Sequence, residues 1–395
     1  MKIDRGRIER LTSYVQGIRE NGNGRELYEK YKNDIGEVTP QEVFEVFYSM
    51  LQEGAKPDEI LVFLDKVINV FYKSLKGYTW QRPEQNSFTG IMLKENEALI
   101  ARLEAIKEIV GVSDPTERKK ALLPKIAELR EFDRHYLKKE NILFPYLERK
   151  MEKFNGLSIM WALHDEARKR LEDVIRCLGT EGCSYDELNI GLGNLFFALY
   201  GLAQKEELLL FTAAREVISR REWEEMQEQS FEYGFSFVAA PERDSSVETG
   251  GTAAEMAGGC FLRTDTGMLD LEQVLMVFNN LPLDLTFVDE DNKVRFFTRP
   301  KDRIFPRSPA VIGRNVENCH PPESVHVVKE IIESFRNGSQ DNAAFWINLK
   351  GKKILIQYFA LRDNNGKYRG VLEASQDITE LSRLEGERRL LHWGK

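Results

Sequence analysis

The sequence predicts a multidomain protein: an all-α N-terminal part built around a four-helix bundle, followed by an α+β domain with an antiparallel sheet. Three observations predict it. The chain has 395 residues, too long for one ordinary core. Up to about residue 220 apolar positions recur at helical spacing, whereas beyond residue 268 short apolar runs alternate with turn residues. Between these regions lies 239–259, "AAPERDSSVETGGTAAEMAGG", whose small, polar, Gly-rich composition reads as a flexible linker.

The first division, 1–76, reads as helical. In "TPQEVFEVFYSMLQEG", Thr39 is an N-cap, Pro40 the first helical residue, Glu42 the reciprocal cap and Gly54 the stop. In "KPDEILVFLDKVINVFYKSL", Ile60, Leu61, Leu64, Val67, Ile68 and Phe71 make one apolar face. This segment carries no recognisable chemistry and reads as a docking module. "GYTWQRPEQNSFTG", 77–90, is turn-rich and marks a boundary. Four long helical patterns follow, over 91–111, 117–150, 157–178 and 185–219. Their short, breaker-rich connections predict an antiparallel bundle within 77–238. After the linker, 239–262, "LDLTFVDEDNKVRFFT" reads as two strands and "AAFWINLKGKKILIQYFALRDNNGKYRGVLEASQDIT" as three, within 263–380. "ELSRLEGERRLL" in 381–395 reads as a connector helix.

Composition excludes several classes. A net charge of −8 argues against a general nucleic-acid binder, which needs clustered Lys and Arg on phosphate. No apolar run approaches the roughly 20 residues of a membrane span, and Met1–Arg10 is too charged for a signal peptide. The expectation is a soluble cytoplasmic protein with no membrane partner. Cys177, Cys183, Cys260 and Cys319 form no CxxC pair, so reduced thiols are expected.

Two of the five histidines, His135 and His164, fall inside the bundle. Glu140 follows His135 by five residues, about 140° around an ideal helix, so the two share no narrow stripe. They can still flank a metal from different levels. The fourth helix carries an echo, "LAQKEELLLFTAA" beside "HYLKKENILFPYL". In that register Leu202 stands for His135 and Glu207 for Glu140, with Glu206 adjacent. The first helix adds Glu95. A carboxylate inside a bundle core is costly unless it is paired or binds a cation, and oxygen plus nitrogen donors suit iron, manganese or zinc. The alternative is that "KKE" and "KEE" are solvated helix surface.

"RHYLKKENILFPYLE", "MWALHDEAR" and "KEELLLF" give residues 90–220 a resemblance to hemerythrin-like (HHE cation-binding) bundles. With its flanking parts the chain resembles the DUF438-type proteins, which join a small helical domain, an HHE bundle and a PAS domain. The resemblance implies a non-haem di-iron centre able to meet oxygen or a related small molecule. By position, His135 and Glu140 match the second-helix ligands, His164 the third-helix histidine, Glu207 or Glu206 the fourth-helix carboxylate, and Glu95 the first-helix acid. The chain departs from the pattern in having only two bundle histidines, and "FLDKVINVF" lacks the Cys and His usual in the N-terminal domain. One metal, or none, is the alternative outcome.

"LPLDLTFVDEDNKVRFFT", "VIGRNVENCHPPESVHVVKEII" and "YFALRDNNGKYRGVLEASQDIT" resemble a PAS domain, 268–380. Such domains hold a small ligand or haem, or mediate dimerisation. His326 lies near the place of the haem ligand in haem-binding members. His320 precedes it at a turn, and Cys319 is the weaker alternative ligand. Arg303, Arg307 and Arg314 form a basic cluster, and His392 lies near the chain end. The combination implies a sensor for oxygen, nitric oxide or redox state, a homodimer through the PAS domain and an unidentified protein partner. A di-iron enzyme reducing oxygen, peroxide or nitric oxide, and a metal-free interaction scaffold favoured by Leu202, are the alternatives.

Overall fold

A computed structural model describes residues 4–111, 114–150, 156–180, 182–242, 261–264 and 266–387. The chain divides into two compact units, one running to Glu242 and one carrying the sheet.

In the first unit, helices α1 (Arg5–Arg19), α2 (Gly24–Gly36), α3 (Pro40–Gln52) and α4 (Pro57–Gly77) precede the bundle. The expected start of α3 is present: Thr39 and Glu42 form a reciprocal capping box ahead of Pro40. The apolar face of α4 is buried through Ile60, Leu64, Val67 and Phe71, in one continuous core with the bundle. Such a core is why these short helices hold together, since isolated helices of this length are marginal in water.

Four long helical stretches follow at the expected places. They are α5 (Phe88–Val110); a second rod comprising α6 (Pro115–Glu128), α7 (Asp133–Lys138) and α8 (Phe144–Lys150); α9 (Ser158–Gly179); and a fourth rod of α10 (Tyr185–Lys205) and α11 (Phe211–Val217). A π-helical turn interrupts each even-numbered rod, at Lys139–Leu143 and at Glu206–Leu210. The two turns occupy equivalent positions in the sequence echo. Helix α12 (Arg220–Ser230) then starts on a Ser219–Glu222 capping box. The structure joins Cys177 and Cys183 in a disulfide across the α9–α10 turn, Cα–Cα 5.3 Å. This corrects the expected thiols: the short connection brings two helix ends within bonding distance. Among the described residues Cys319 takes part in no disulfide; Cys260 and His392 lie outside them, as does most of the expected linker.

The second unit opens with a hairpin that sequence patterning did not separate, β1 (Phe261–Thr264) and β2 (Gly267–Asp270), followed by α13 (Leu271–Asn280). The five expected strands are β3 (Asp284–Asp289), β4 (Val294–Phe297), β5 (Asn342–Leu349), β6 (Lys352–Arg362) and β7 (Tyr368–Asp377), with α14 (Pro322–Arg336) between β4 and β5. They pair antiparallel in the order β4-β3-β7-β6-β5. The β5–β6 hairpin turns on Lys350 and Gly351, at φ +51° and +79°, the left-handed pair a tight hairpin needs. Gly370 in β7 has φ +137°, and a Cβ there would lie 2.1 Å from the Val288 carbonyl oxygen, so no larger residue fits. After β7 a single 3₁₀ turn, Leu381–Arg383, stands where the connector helix was expected. Residues 384–387 are not helical, and 388–395 lie outside the described residues.

Candidate metal centre

The bundle brings Glu95 from α5, His135 from α7, Glu140 and Glu206 from the two π-turns, and His164 from α9 into its interior, all at most 2% exposed. The π-turns explain how. An extra residue per turn swings consecutive side chains inward, so Lys138, Lys139 and Glu140 are all buried, which an ideal α-helix does not allow on one face. The 140° separation of His135 and Glu140 expected from α-helical geometry therefore does not apply.

His135 lies between two carboxylates. Its Nδ1 is 2.8 Å from Glu95 Oε2 and its Nε2 is 2.8 Å from Glu206 Oε2. Asn96 Nδ2 donates to Glu206 at 2.9 Å, and the Ser236 N–H donates to Glu95 Oε1 at 2.7 Å. Lys138 donates to Glu95, and Lys139 to Glu206. Arg168 grips Glu140 through both oxygens, at 2.9 and 3.1 Å, and reaches Asp133 at 2.8 Å. Each of the three buried carboxylates is thus matched by a lysine or arginine of the protein.

These contacts set the protonation states. Burial pushes the Glu206 carboxyl up, but Lys139 and His135 hold it well below the usual carboxylate range. Burial likewise raises Glu95, and His135 and Lys138 more than offset it. Glu140, raised by burial and lowered further by Arg168 and His164, comes down to about 2. Burial lowers both lysines, against the pull of Glu95 on Lys138 and of Glu206 on Lys139. Burial, reinforced by the Lys139 charge, pushes His164 down to about 3, so its ring is neutral. The His164 Nδ1–H donates to Glu140 Oε1 at 2.8 Å, and its Nε2 is a buried lone pair with no partner. A carboxylate on one ring nitrogen and a bare lone pair on the other is the arrangement of an oriented metal-binding histidine. Glu140 then orients His164, its oxygens being occupied by His164 and Arg168.

Glu207, the alternative fourth-helix ligand, points outward: it is exposed and faces Arg82 at 3.7 Å. The π-turn selects Glu206 instead. Sequence reasoning missed Lys138, Lys139 and Arg168. The signal was available in "KKE" and "KEE", each lodged directly before an apolar run. The donor types fit a cation; the charges constrain how many. An ion taking Glu95 and Glu206 must displace Lys138 and Lys139, and two added divalent ions would carry four positive charges into a core already neutralised. Among the described residues, no three His, Cys, Asp or Glu side chains converge on one point.

In the sheet unit, Val288, Val316, Val328, Ile331, Ile332 and Val371 wall a cavity that also meets His320, Tyr358 and Glu373. Its free space is about 20 Å³, room for roughly one water. The His320 Nδ1–H donates to the Val316 carbonyl at 2.8 Å, and Arg307 pairs with Glu373 at 3.2 Å. His326 lies on the exposed side of α14 and is not among the lining residues. The imidazole expected to hold haem therefore lies outside this cavity. Arg307 of the basic cluster thus meets a carboxylate of the protein itself.

Residues 87–214 match the hemerythrin HHE cation binding domain, and residues 274–379 match a PAS domain. Among solved structures the chain is similar to the C-terminal domain of a Streptococcus mutans protein, at 36% identity over 32% of this chain and 98% of that one, TM-score 0.31. It is also similar to the PAS domain of a Colwellia psychrerythraea protein, at 19% identity over 28% and 98%, TM-score 0.23. A third similarity is to a sensory box sensor histidine kinase from Vibrio cholerae, at 15% identity over 27% and 89%, TM-score 0.22. No curated protein matches the chain.

Proposed function

We propose that this protein, which carries a hemerythrin HHE cation-binding domain and a PAS domain, is a signalling protein whose bundle takes up a metal ion at Glu95, His135, His164 and Glu206. The observation that carries the reading is the neutral His164, with a buried, unpartnered Nε2, in the same bundle interior as the Glu95–His135–Glu206 donors. In its finer form the metal is non-haem iron, as one ion or a di-iron pair, and the stimulus is oxygen, nitric oxide or redox state. The PAS domain then serves as a dimerisation or small-ligand module passing the change to a protein partner. The DUF438-type order of three parts belongs to this reading. No described helix is long and apolar enough to cross a membrane, and a cytoplasmic setting is proposed with the rest.

A second reading, a metal-free interaction scaffold, is favoured by the neutralisation of all three buried carboxylates by Lys138, Lys139 and Arg168. One experiment separates the two: metal analysis and an absorption spectrum of protein purified without oxygen and then exposed to air. Stoichiometric iron with near-ultraviolet charge-transfer bands, both lost in His135→Ala and Glu206→Gln, supports the metal reading. Metal-free, folded protein after anaerobic incubation with ferrous iron sinks it and leaves the scaffold.

A further inference from the structure

The turn between α9 and α10 carries a covalent bond that the fold does not need. The Cys177–Cys183 disulfide spans a sequence separation of 6. Closing so short a loop removes little entropy from the unfolded chain. The two helices are held independently of it: Val174 and Leu178 of α9, and Leu188 and Leu192 of α10, are buried in the bundle core. Ser184 and Glu187 start α10 with a reciprocal capping box. Both cysteines are half-buried, and partly exposed disulfides are the more easily reduced.

The two sulfurs sit in opposite fields. Cys183 lies two residues before Tyr185, the first residue of α10, at the positive end of a 21-residue helix. The Lys119 ammonium of α6 donates to the Cys183 carbonyl at 2.8 Å, and the Arg118 guanidinium lies 4.5 Å from the Tyr185 ring. Cys177 lies in the last turn of α9, at its negative end, where the Cys177 carbonyl accepts the Thr180 N–H at 3.2 Å. Of the acids on these helix ends, Glu187 is engaged by the Ser184 N–H and hydroxyl, both at 2.8 Å, and Asp173 by Arg176 at 2.5 Å. A thiolate is therefore better stabilised at Cys183 than at Cys177.

We infer that Cys177 and Cys183 form a reversible thiol–disulfide site whose oxidant is a small-molecule disulfide, with Cys183 the first sulfur to react. The Cys183 thiolate attacks the small disulfide. One of its sulfurs stays on Cys183 as a mixed disulfide, and the other leaves as a thiolate. The Cys177 thiol then gives its proton to solvent and attacks the Cys183 sulfur, releasing the second small thiolate. The protein pair loses two electrons, the small disulfide gains them, and two small thiols leave. Reduction runs the same steps backwards. The site lies apart from the bundle interior, and the inference stands or falls without a metal.

The test equilibrates the full-length protein, without oxygen, in glutathione buffers of increasing reduced-to-oxidised ratio. Thiols are then trapped with acid and maleimide and assigned by peptide mass spectrometry, while circular dichroism follows the fold. The expected result is a bond that opens and re-forms at the same ratio from either direction, with the helical signal unchanged. A bond that survives excess reduced glutathione until urea unfolds the chain overturns the inference. So does a reduced, folded pair that excess oxidised glutathione does not close. The order is read by a pulse of iodoacetamide on reduced protein: Cys183 should be alkylated at least about 3-fold faster than Cys177, from the opposite helix ends alone. Equal or reversed rates overturn the assignment of Cys183. With oxidised glutathione, Cys177→Ser should accumulate the mixed disulfide on Cys183 faster than Cys183→Ser does on Cys177; equal rates overturn the assignment likewise.

Discussion

The second and fourth rods of the bundle carry the same device with different charges. Each breaks its α-helix with a π-turn, at Lys139–Leu143 and at Glu206–Leu210, and each places charged residues there before an apolar run. In the second rod the triplet is Lys138-Lys139-Glu140, all buried; in the fourth it is Lys205-Glu206-Glu207, with Glu207 outside. Lys205 also turns away from the centre, to Asp65 of α4 at 2.5 Å. One position differs in sign, Lys139 against Glu206, and those two side chains meet. The repeated geometry supplies the buried places; the sign difference closes them. A π-turn therefore tells where a site is built, and the charges on it tell what already fills it.

The sharpest way to break this comparison is to remove one side of the meeting. Glu206→Gln leaves Lys139 buried without a countercharge and should cost ~3–5 kcal/mol, read as a lowered midpoint in urea denaturation with unchanged slope. Adding Lys139→Met to Glu206→Gln should recover most of that loss, because the stranded charge goes with it. A double variant as unstable as the single would show that the two rods do not meet as described. Acid is a gentler probe. His164 is held neutral, at about 3 against 6.5 in an unfolded chain, so its contribution is complete above pH 6.5 and falls away as pH drops toward 3. Stability should fall along that window by about 1.4 kcal/mol per pH unit at most, and His164→Gln should flatten the slope. Glu140, held at about 2, loses its share only below pH 4.5, as pH falls toward 2. The smallest effect belongs to the outward glutamate: Glu207→Gln should change stability by no more than about 0.5 kcal/mol. It should also leave bound metal unchanged where Glu206→Gln removes it.

The architecture was readable because its determinants are local. Capping residues such as Thr39, Pro40 and Glu42 and the turn residues Lys350 and Gly351 fix element ends by short-range chemistry. The four long helices and five main strands stand within a few residues of the spans that periodicity gives. The bundle interior was readable in part. Glu95, His135, Glu140, His164 and Glu206 are conspicuous in the sequence as polar residues beside apolar runs, and all five are buried in the bundle interior. Lys138 and Lys139 were hidden because arguments from helical periodicity assume 3.6 residues per turn, and a π-turn violates that assumption where the chemistry sits. Periodicity likewise locates His326 on α14 but does not say which side of that helix faces the sheet, and its side chain is exposed. The disulfide between Cys177 and Cys183 depends on two helix ends meeting, which composition does not encode.

Pairing the buried carboxylates with Lys138, Lys139 and Arg168 has a consequence for how such a bundle can change over descent. A single substitution that removes one of these six charges strands its partner in the core, so one-step routes pass through poorly folded intermediates. Only a simultaneous exchange that drops a cation and its anion together avoids that intermediate. Lineages carrying this bundle should therefore exchange these positions in couples, Lys138 with Glu95 and Lys139 with Glu206, and a descendant that gives up both lysines while retaining both glutamates would need a metal ion to fold.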